Sequence, residues 1–286
     1  MAYTCLSAAA VLTLFASLSF AQVQPTPPAG QQPTQASRAI SSAKERTELI
    51  RKAEKAYSSL GTQGLNGFRC RVQPDFDAMF KSLKTDEAGK TEVLPIMKKI
   101  RFQVVAGPDG GASVSHQNDE APPSQAIAER ISKVTGGTDQ MIDGFLRTWT
   151  NMAISSPFAG VDTNETIEDL GQKYRLKHKD ASADVTLLIG HDFTIEEMDV
   201  VLSGQHVILH PVWAATPRGW RLDSYDGTFE AESGTTTSLT VKFTYQDIEG
   251  FQMLNIVDVT MSLPSGTVDG TLHVPFVFSD YQITKR

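Results

Sequence analysis

From Asn164 onward, hydrophobic and polar residues alternate with a period of two. This spacing puts every second side chain on one face, which is typical of β-strands with one buried face. The alternating sets are Tyr174, Leu176 and His178; Val185, Leu187 and Ile189; Val207 and Leu209; Trp220 and Leu222; Leu239, Val241 and Phe243; Val257 and Val259; and Val274, Phe276 and Phe278. Turn-forming residues separate the sets, and no helix-length pattern lies between them. The pattern therefore predicts an antiparallel meander of about eight strands.

The N-terminal part of the chain predicts helices mixed with strands. Ser42 and Glu45 have the spacing of a capping box, and apolar residues continue from there at helical spacing until Gly61. Gly136 and Gly137 divide a second helical region into two predicted helices. The predicted elements are a helix over 42–60, a strand over 65–72, a short helix capped by Asp75, a strand over 100–105, a turn over 107–111, and helices over 124–134 and 139–153.

Together these elements predict one α+β domain over residues 39–286. A large antiparallel sheet tends to curl, so we expect a half-open β-barrel. The N-terminal helix and the helical insertion near 124–155 would cover its concave face. That face either encloses an apolar hollow or is filled as a solid core. If it is hollow, the candidate ligand-binding residues are Phe68, Phe102, Leu187, Val207, Trp213, Trp220, Phe243, Phe276 and Phe278.

The start of the chain differs in composition, because the first 37 residues contain no Asp, Glu, Lys or Arg. Residues 11–20 form an apolar run that is too short to span a bilayer, and the small residues Ser19 and Ala21 fit a signal-peptide cleavage site. We predict a signal peptide over 1–21 and a disordered, Pro- and Gln-rich tether over 22–38. An uncleaved apolar anchor is the alternative. Cleavage would leave a periplasmic or secreted chain without a transmembrane span.

Charge is distributed unevenly along the rest of the chain. The formal net charge of −7 argues against a nucleic-acid partner. Residues 181–286 carry 5 basic and 14 acidic side chains, a net of −9, whereas residues 22–180 carry 21 and 19, a net of +2. The acidic residues either cover a solvated sheet face or form a surface that docks a basic partner.

The sequence lacks the common signatures of enzymes and of metal or cofactor sites. It contains no G-x-S-x-G, H-E-x-x-H or GxxxxGK[ST] motif, and no GxGxxG after a strand. His206 and His210 are four residues apart on a predicted strand, about 13 Å, which is too far for one zinc ion. Glu196, Glu197 and Asp199 indicate a solvated acidic edge rather than a glycosidase pair. We therefore expect no enzymatic activity, no metal and no cofactor.

Three blocks near the C terminus resemble a known family: Gly219–Phe229 (GWRLDSYDGTF), Thr240–Phe251 (TVKFTYQDIEGF) and Val274–Ile283 (VPFVFSDYQI). With the N-terminal helix, they are similar to the closing strands of the LolA/LolB-like superfamily of outer-membrane lipoprotein-sorting proteins. The chain departs from the family where Asn255 follows Leu254, a position at which the family often has proline. The resemblance implies a half-open β-barrel lidded by helices, with an apolar cavity for acyl chains. It transfers no specific acyl-binding residue.

Three functional hypotheses follow. The leading one is an exported, non-enzymatic carrier or binder of an apolar ligand such as a lipid or a lipoprotein acyl chain. The second is a structural or interaction protein of the cell envelope, which docks a protein partner through the acidic face of its sheet. The third, a secreted hydrolase, requires a cleft in which the scattered Asp, Glu and His residues converge.

Overall fold

The computed structural model describes residues 37–83, 87, 89–158, 161, 165–179, 183–202, 205–232, 234, 236–262 and 270–286. The predicted signal peptide and residues 22–36 of the predicted tether lie outside the described residues. So do the predicted turns at 203–204 and 264–266, and Asn164, which begins a formal N-glycosylation sequon in the sequence. Arg38, the last residue of the predicted tether, lies in the first strand.

Within the described residues, thirteen strands form one sheet in the order β1-β5-β6-β7-β8-β9-β10-β11-β12-β13-β2-β3-β4. Every neighbouring pair of strands is antiparallel. The sheet is open, with β1 and β4 at its edges, and the predicted α+β fold is confirmed. The strands are β1 (Arg38–Ala39), β2 (Leu65–Pro74), β3 (Arg101–Ala106), β4 (Ala112–Gln117), β5 (Thr166–Asp169), β6 (Lys173–Lys179), β7 (Ala183–Gly190), β8 (Ile195–Leu202), β9 (Gln205–Thr216), β10 (Gly219–Glu230), β11 (Thr236–Ile248), β12 (Phe251–Ser262) and β13 (Thr271–Lys285).

The predicted meander corresponds to strands β5–β13, which are nine strands in place of about eight. Its last strand, β13, pairs with β2 near the start of the domain, so that Phe278 lies opposite Val72 and Ile283 opposite Phe68. This pairing joins the C-terminal meander to strands β2–β4 in one sheet. Side chains alternate between a buried inner face and a solvent-facing outer face, as the period of two predicts.

Helix α1 (Ala43–Lys55) begins where the sequence predicts, because the Glu45 N–H donates to Ser42 Oγ at 3.4 Å. Its predicted end near residue 60 is wrong. Residues 56–58 leave the helix because their backbone bonds to Trp220 instead. The Trp220 N–H donates to the Ala56 carbonyl at 2.7 Å, and the Ser58 N–H donates to the Trp220 carbonyl at 2.9 Å. These bonds tie the end of α1 to the start of β10.

Helix α4 (Gln125–Ala153) is one continuous helix of 29 residues, so the prediction of two helices separated by glycines is wrong. Each glycine costs about 1 kcal/mol in a helix interior. That cost is offset because residues on either side of the glycines are buried against the rest of the protein and also form hydrogen bonds within the helix. Thr135 and Thr138 are buried, and their hydroxyls donate to the carbonyls of Ile131 and Val134 at 3.0 and 2.8 Å.

Two shorter helical segments lie between β2 and β3. Helix α2 (Phe76–Ser82) has the predicted cap, since Asp75 Oδ1 accepts the Ala78 N–H at 3.0 Å. A π-helical turn (Gly89–Val93) leads into α3 (Leu94–Met97). Among the described residues, no helix is long and apolar enough to cross a membrane.

Candidate binding surfaces

The inner face of the sheet contains the nine residues predicted to line a hollow. A hollow wide enough for an acyl chain would leave its lining accessible to a water-sized probe. Seven of the nine expose at most 4% of their surface. These seven are Phe68, Phe102, Leu187, Val207, Phe243, Phe276 and Phe278. Contact between these residues and a ligand stays a prediction.

Helix α4 occupies the inner face opposite β2 and β13. The Phe145 ring lies 5.1 Å from the ring of Phe276 and 6.2 Å from that of Phe278. One turn further along, Trp149 is fully buried, with its ring centroid 6.1 Å from that of Phe68. Aromatic pairs at these separations are attractive contacts of an ordinary core. Protein side chains therefore fill this part of the inner face.

Trp213 and Trp220, the other two predicted lining residues, are half-buried, and both bind backbone through their indole N–H groups. The Trp213 indole donates to the Ile195 carbonyl at 2.8 Å, and the Trp220 indole donates to the Asp192 carbonyl at 3.1 Å. Both acceptors belong to the β7–β8 connection or to the first residue of β8. The two tryptophans therefore hold this connection against β9 and β10.

Tyr57 completes the same arrangement from the end of α1. Its hydroxyl donates to the Phe193 carbonyl at 2.8 Å and accepts the Ile195 N–H at 2.9 Å, and its ring packs edge-on against Trp213 at 4.7 Å. Burial raises the pKa of the Tyr57 hydroxyl well above its ordinary value. Phe193 has a positive φ of 66°, which is uncommon for a bulky residue, and the Tyr57 hydrogen bond helps to hold it.

A second tyrosine, Tyr245, connects α4 to the sheet. Its hydroxyl donates to the Leu222 carbonyl and lies 3.3 Å from the Trp149 indole nitrogen, which donates to it. The Arg221 guanidinium lies 4.2 Å above its ring, a cation–π contact. Burial raises the pKa of Tyr245 well above its ordinary value. The Tyr245 hydroxyl and the Trp149 indole are thus paired within this part of the core.

The outer face of β8, β9 and β10 carries an acidic surface, which we call the outer acidic face. The strand register determines which residues of this face are adjacent across the three strands. For example, Val201, His206 and Glu230 are direct neighbours. It contains four carboxylates and two histidines, and no Lys or Arg is a member. Its members are Glu197, Asp199, Val201, His206, Ile208, His210, Asp226, Thr228 and Glu230.

The histidines of the outer acidic face lie between carboxylates. His206 Nε2 is 2.8 Å from Asp199 Oδ1, and His206 Nδ1 is 4.0 Å from Glu230 Oε2. His210 Nδ1 lies 4.0 Å from Glu197 Oε2. No group of three or more His, Cys, Asp or Glu residues with metal-binding geometry occurs in the described part of the chain. His206 is within hydrogen-bond distance of Asp199, and the other His–carboxylate contacts of this face are longer.

Two adjacent polar clefts lie at the opposite end of β10, where the β9–β10 and β11–β12 turns meet residue 63 and the end of β13. Their volumes are about 400 and 350 Å³, and Arg218 and Gly250 line both. We call them together the Arg218 cleft. The first is lined by Gln63, Arg218, Glu249, Gly250, Phe251 and Lys285. The second is lined by Ser58, Ala215, Thr216, Pro217, Arg218, Arg221, Asp247, Gly250 and Gln252.

Sequence reasoning missed the Arg218 cleft. Its turns were predicted from Pro217–Gly219 and Glu249–Gly250, but turn residues do not reveal which turns meet in space. One signal was available. Residues 181–286 contain only five basic side chains, and four of them lie near turns or the chain end: Arg218, Arg221, Lys285 and Arg286.

Comparisons with known proteins add little to this description. The chain matches no protein-family model and no curated protein. A solved structure described as the crystal structure of MucB in complex with MucA(peri) aligns with 82% of this chain and 92% of that chain, at 10% sequence identity and a TM-score of 0.13. This likeness is too small to show a shared fold, and we carry nothing from MucB to this chain. Membership in the LolA/LolB-like superfamily stays a prediction.

Proposed function

We propose that the protein is a non-enzymatic interaction protein that docks a basic protein partner on its outer acidic face. The observation that carries the proposal is the charge of this face. Glu197, Asp199, Asp226 and Glu230 lie on three neighbouring strands, and none of the nine residues that form this face is a Lys or Arg. A surface of one charge sign attracts and orients a partner of the opposite sign.

Apolar side chains within the same face supply contact area. Val201 is 49% exposed although it lies in a strand, and Ile208 lies between Asp199 and Thr228 in the register. Apolar centres ringed by polar residues are typical of surfaces that bind other proteins. The partner would therefore present Lys or Arg side chains around an apolar patch.

Site-specific crosslinking in the producing cells tests this proposal. A photo-crosslinking amino acid at Ile208 lies in the middle of the outer acidic face. The same amino acid at Gln103, which faces out from β3 beside Arg71 and Ser115, is the matched control. We expect the Ile208 position, and not the Gln103 position, to capture a partner with a basic surface.

Purified partner then provides the quantitative measurement. The double variant Asp199→Asn, Glu230→Gln should bind it about tenfold more weakly, and added salt should weaken the wild-type complex. Crosslinks only between copies of the chain, or binding that neither salt nor the double variant changes, would refute the proposal.

Carriage of an apolar ligand is the second candidate, and the observation that favours it is the apolar inner face under α4. Movement of α4 away from the sheet would uncover Phe68, Phe276 and Phe278, which now contact Phe145 and Trp149. Native mass spectrometry of protein purified from membrane-containing extracts should then detect a bound lipid. Loading should also shift the protein's tryptophan emission to longer wavelength, because Trp149, one of its three tryptophans, would leave its buried position. Protein without lipid and with unchanged emission would count against carriage.

A further inference from the structure

We propose that the Arg218 cleft binds a carboxylate of single negative charge attached to an apolar body. This site is separate from the outer acidic face, and its occupancy does not depend on the docking proposed above. The proposal rests on the basic side chains gathered at the cleft, on how they are held, and on the apolar residues in its lining.

Basic residues are concentrated at this end of an otherwise acidic sheet. Three of the five basic side chains in residues 181–286 line the cleft, namely Arg218, Arg221 and Lys285. A fourth, Arg286, is adjacent, since its backbone N–H donates to the Gly64 carbonyl at 2.9 Å. Such a concentration is not required to fold the turns, which need glycine and polar residues rather than cations.

Arg218 is held in place by neutral groups. Its Nη1 donates to the Gln63 side-chain oxygen and, at 3.1 Å, to the Gly250 carbonyl. Among the described residues, no carboxylate forms an ion pair with it. A guanidinium has five N–H donors in a fixed planar fork, which matches the two oxygens of a carboxylate. Arg218 is thus oriented by two bonds while its charge is uncompensated.

Arg221 has a similar arrangement in the second half of the cleft. Its Nη1 donates to Gln252 Oε1 at 3.4 Å, and its guanidinium is stacked on the Tyr245 ring. Its Nε is buried and has no hydrogen-bond partner among the described residues. Again the contacts fix the side chain without cancelling its charge.

Two acidic residues also line the cleft, and their charges enter its balance. Glu249 forms an ion pair with Lys285 at 2.8 Å. Asp247 accepts the Gly250 N–H at 3.0 Å, which stabilises the turn, and lies 3.4 Å from the Gln252 amide nitrogen. Three cations and two anions leave a net charge of +1 in the lining. A net of +1 fits a monoanionic carboxylate better than a doubly charged phosphate.

Apolar lining residues indicate the rest of the ligand. Phe251 contributes to the first half of the cleft, and Ala215 and Pro217 contribute to the second. Their surfaces would contact an aliphatic or aromatic group attached to the carboxylate. A peptide C terminus and a free organic acid share this chemistry, and the choice of probe separates them.

Backbone chemical shifts measured by NMR during titration test the proposal, with ligands that differ in one feature. N-acetyl-leucine represents a peptide C terminus, hexanoate represents an organic acid, and N-acetyl-leucinamide lacks the carboxylate. We expect saturable shifts at Arg218, Gly250 and Gln252 with at least one acid, and binding of the amide weaker by about tenfold or more. A preference for N-acetyl-leucine over hexanoate would identify a peptide terminus as the source, and the reverse preference would identify an organic acid.

Variants of matched charge locate the site. Arg218→Gln should weaken binding of the preferred acid by about tenfold, because the oriented fork is lost. Lys242→Gln removes the same charge from an exposed position of β11, outside the cleft, and should change binding less than about twofold. Thermal unfolding of both variants verifies that they fold.

Three outcomes would overturn the proposal. The first is the absence of a saturable shift with either acid at about 20 mM, a concentration that reveals even millimolar affinity. The second is an equal response to the acid and to the amide. The third is an equal loss of binding in Arg218→Gln and Lys242→Gln, which would indicate a diffuse charge effect.

Discussion

The two faces of strand β9 illustrate how differently the two sides of this sheet are built. Val207 and Leu209 point inward and expose 2% and 4% of their surface, whereas His206 and His210 point outward among carboxylates. Inward residues are fixed by packing, since they are buried within the hydrophobic core. Outward residues contact one another through polar and charged groups, and solvent screens those interactions. Substitutions on the inner face should therefore change stability, and substitutions on the outer face should change partner binding.

The largest expected effect is on the inner face at Trp149. This side chain is fully buried beside Phe68, and its indole donates to the Tyr245 hydroxyl at 3.3 Å. Trp149→Ala should lower the free energy of unfolding by about 3–5 kcal/mol, because it removes a large aromatic ring from a packed core. Urea denaturation followed by circular dichroism measures the change. Trp149→Phe retains a ring and should cost less, and equal losses would argue against packing as the cause.

The next effect concerns the attachment of α1 to the start of β10. Gly219 has a φ of 112°, and a Cβ there would lie 2.5 Å from the Ala56 carbonyl oxygen. Gly219→Ala should destabilise the protein by about 2 kcal/mol or more, since it combines an unfavourable φ with a backbone clash. Gly250→Ala is the matched control, because Gly250 has a φ of 91° with nothing within 4 Å of its Cβ site.

Thermal melts of the two glycine variants separate the effect of an unfavourable φ, which both variants share, from the effect of the backbone clash, which only Gly219→Ala has. If Gly219→Ala melts no lower than Gly250→Ala, the contact between α1 and β10 contributes nothing to stability. We expect the larger shift for Gly219→Ala. We also expect faster hydrogen exchange at Ser58 and Trp220, whose N–H groups make the bonds between these segments.

The meander and the two helices α1 and α4 show what the sequence can and cannot predict. The period-two pattern predicted the inner and outer faces of the meander because strand alternation is a local property. The Gly136–Gly137 pair predicts a helix boundary, yet α4 runs through it because buried contacts along the helix outweigh local propensity. The end of α1 was missed for a related reason, since its partner Trp220 is distant in the sequence.

Side-chain roles on the inner face were predicted only in part. Burial of Phe276 and Phe278 follows from alternation, and the structure confirms it. The indole hydrogen bonds of Trp213 and Trp220 depend on a β-hairpin connection that alternation does not place. The Arg218 cleft is still harder to predict from the sequence, because its two turns and residue 63 meet only in the tertiary structure.

Alkaline pH should destabilise the folded protein, because its core contains buried tyrosine hydroxyl groups and the Cys70 thiol. Burial raises the pKa of Cys70 to about 12 and raises the pKa values of Tyr57, Tyr225, Tyr245 and Tyr281 well above their ordinary values. Above about pH 9, the unfolded chain releases these protons while the folded chain retains them. The folded state then binds more protons, so its stability falls as pH rises.

The free energy of unfolding, measured in urea from pH 8 to pH 11, should therefore decrease across this range. The stabilising contribution of Cys70 and the four buried tyrosines is complete at a pH below their pKa values in the unfolded chain. It is lost as the pH rises towards their pKa values in the folded chain. Tyr57→Phe removes one such group and should make the decrease shallower, although it also removes the hydrogen bonds to Phe193 and Ile195 at every pH. Stability that stays constant up to pH 11 would show that these groups are accessible to solvent.

The smallest stability effect should come from the outer acidic face. Asp199→Asn removes one charge from a side chain that is 38% exposed and pairs with His206 at 2.8 Å. Because exposed ion pairs contribute little, the free energy of unfolding should change by about 0.5 kcal/mol or less. The same substitution should weaken binding of a basic partner, because the charge acts on the encounter rather than on the fold. A loss of stability comparable to that of Trp149→Ala would show that the outer face, like the inner one, is part of what holds the sheet together.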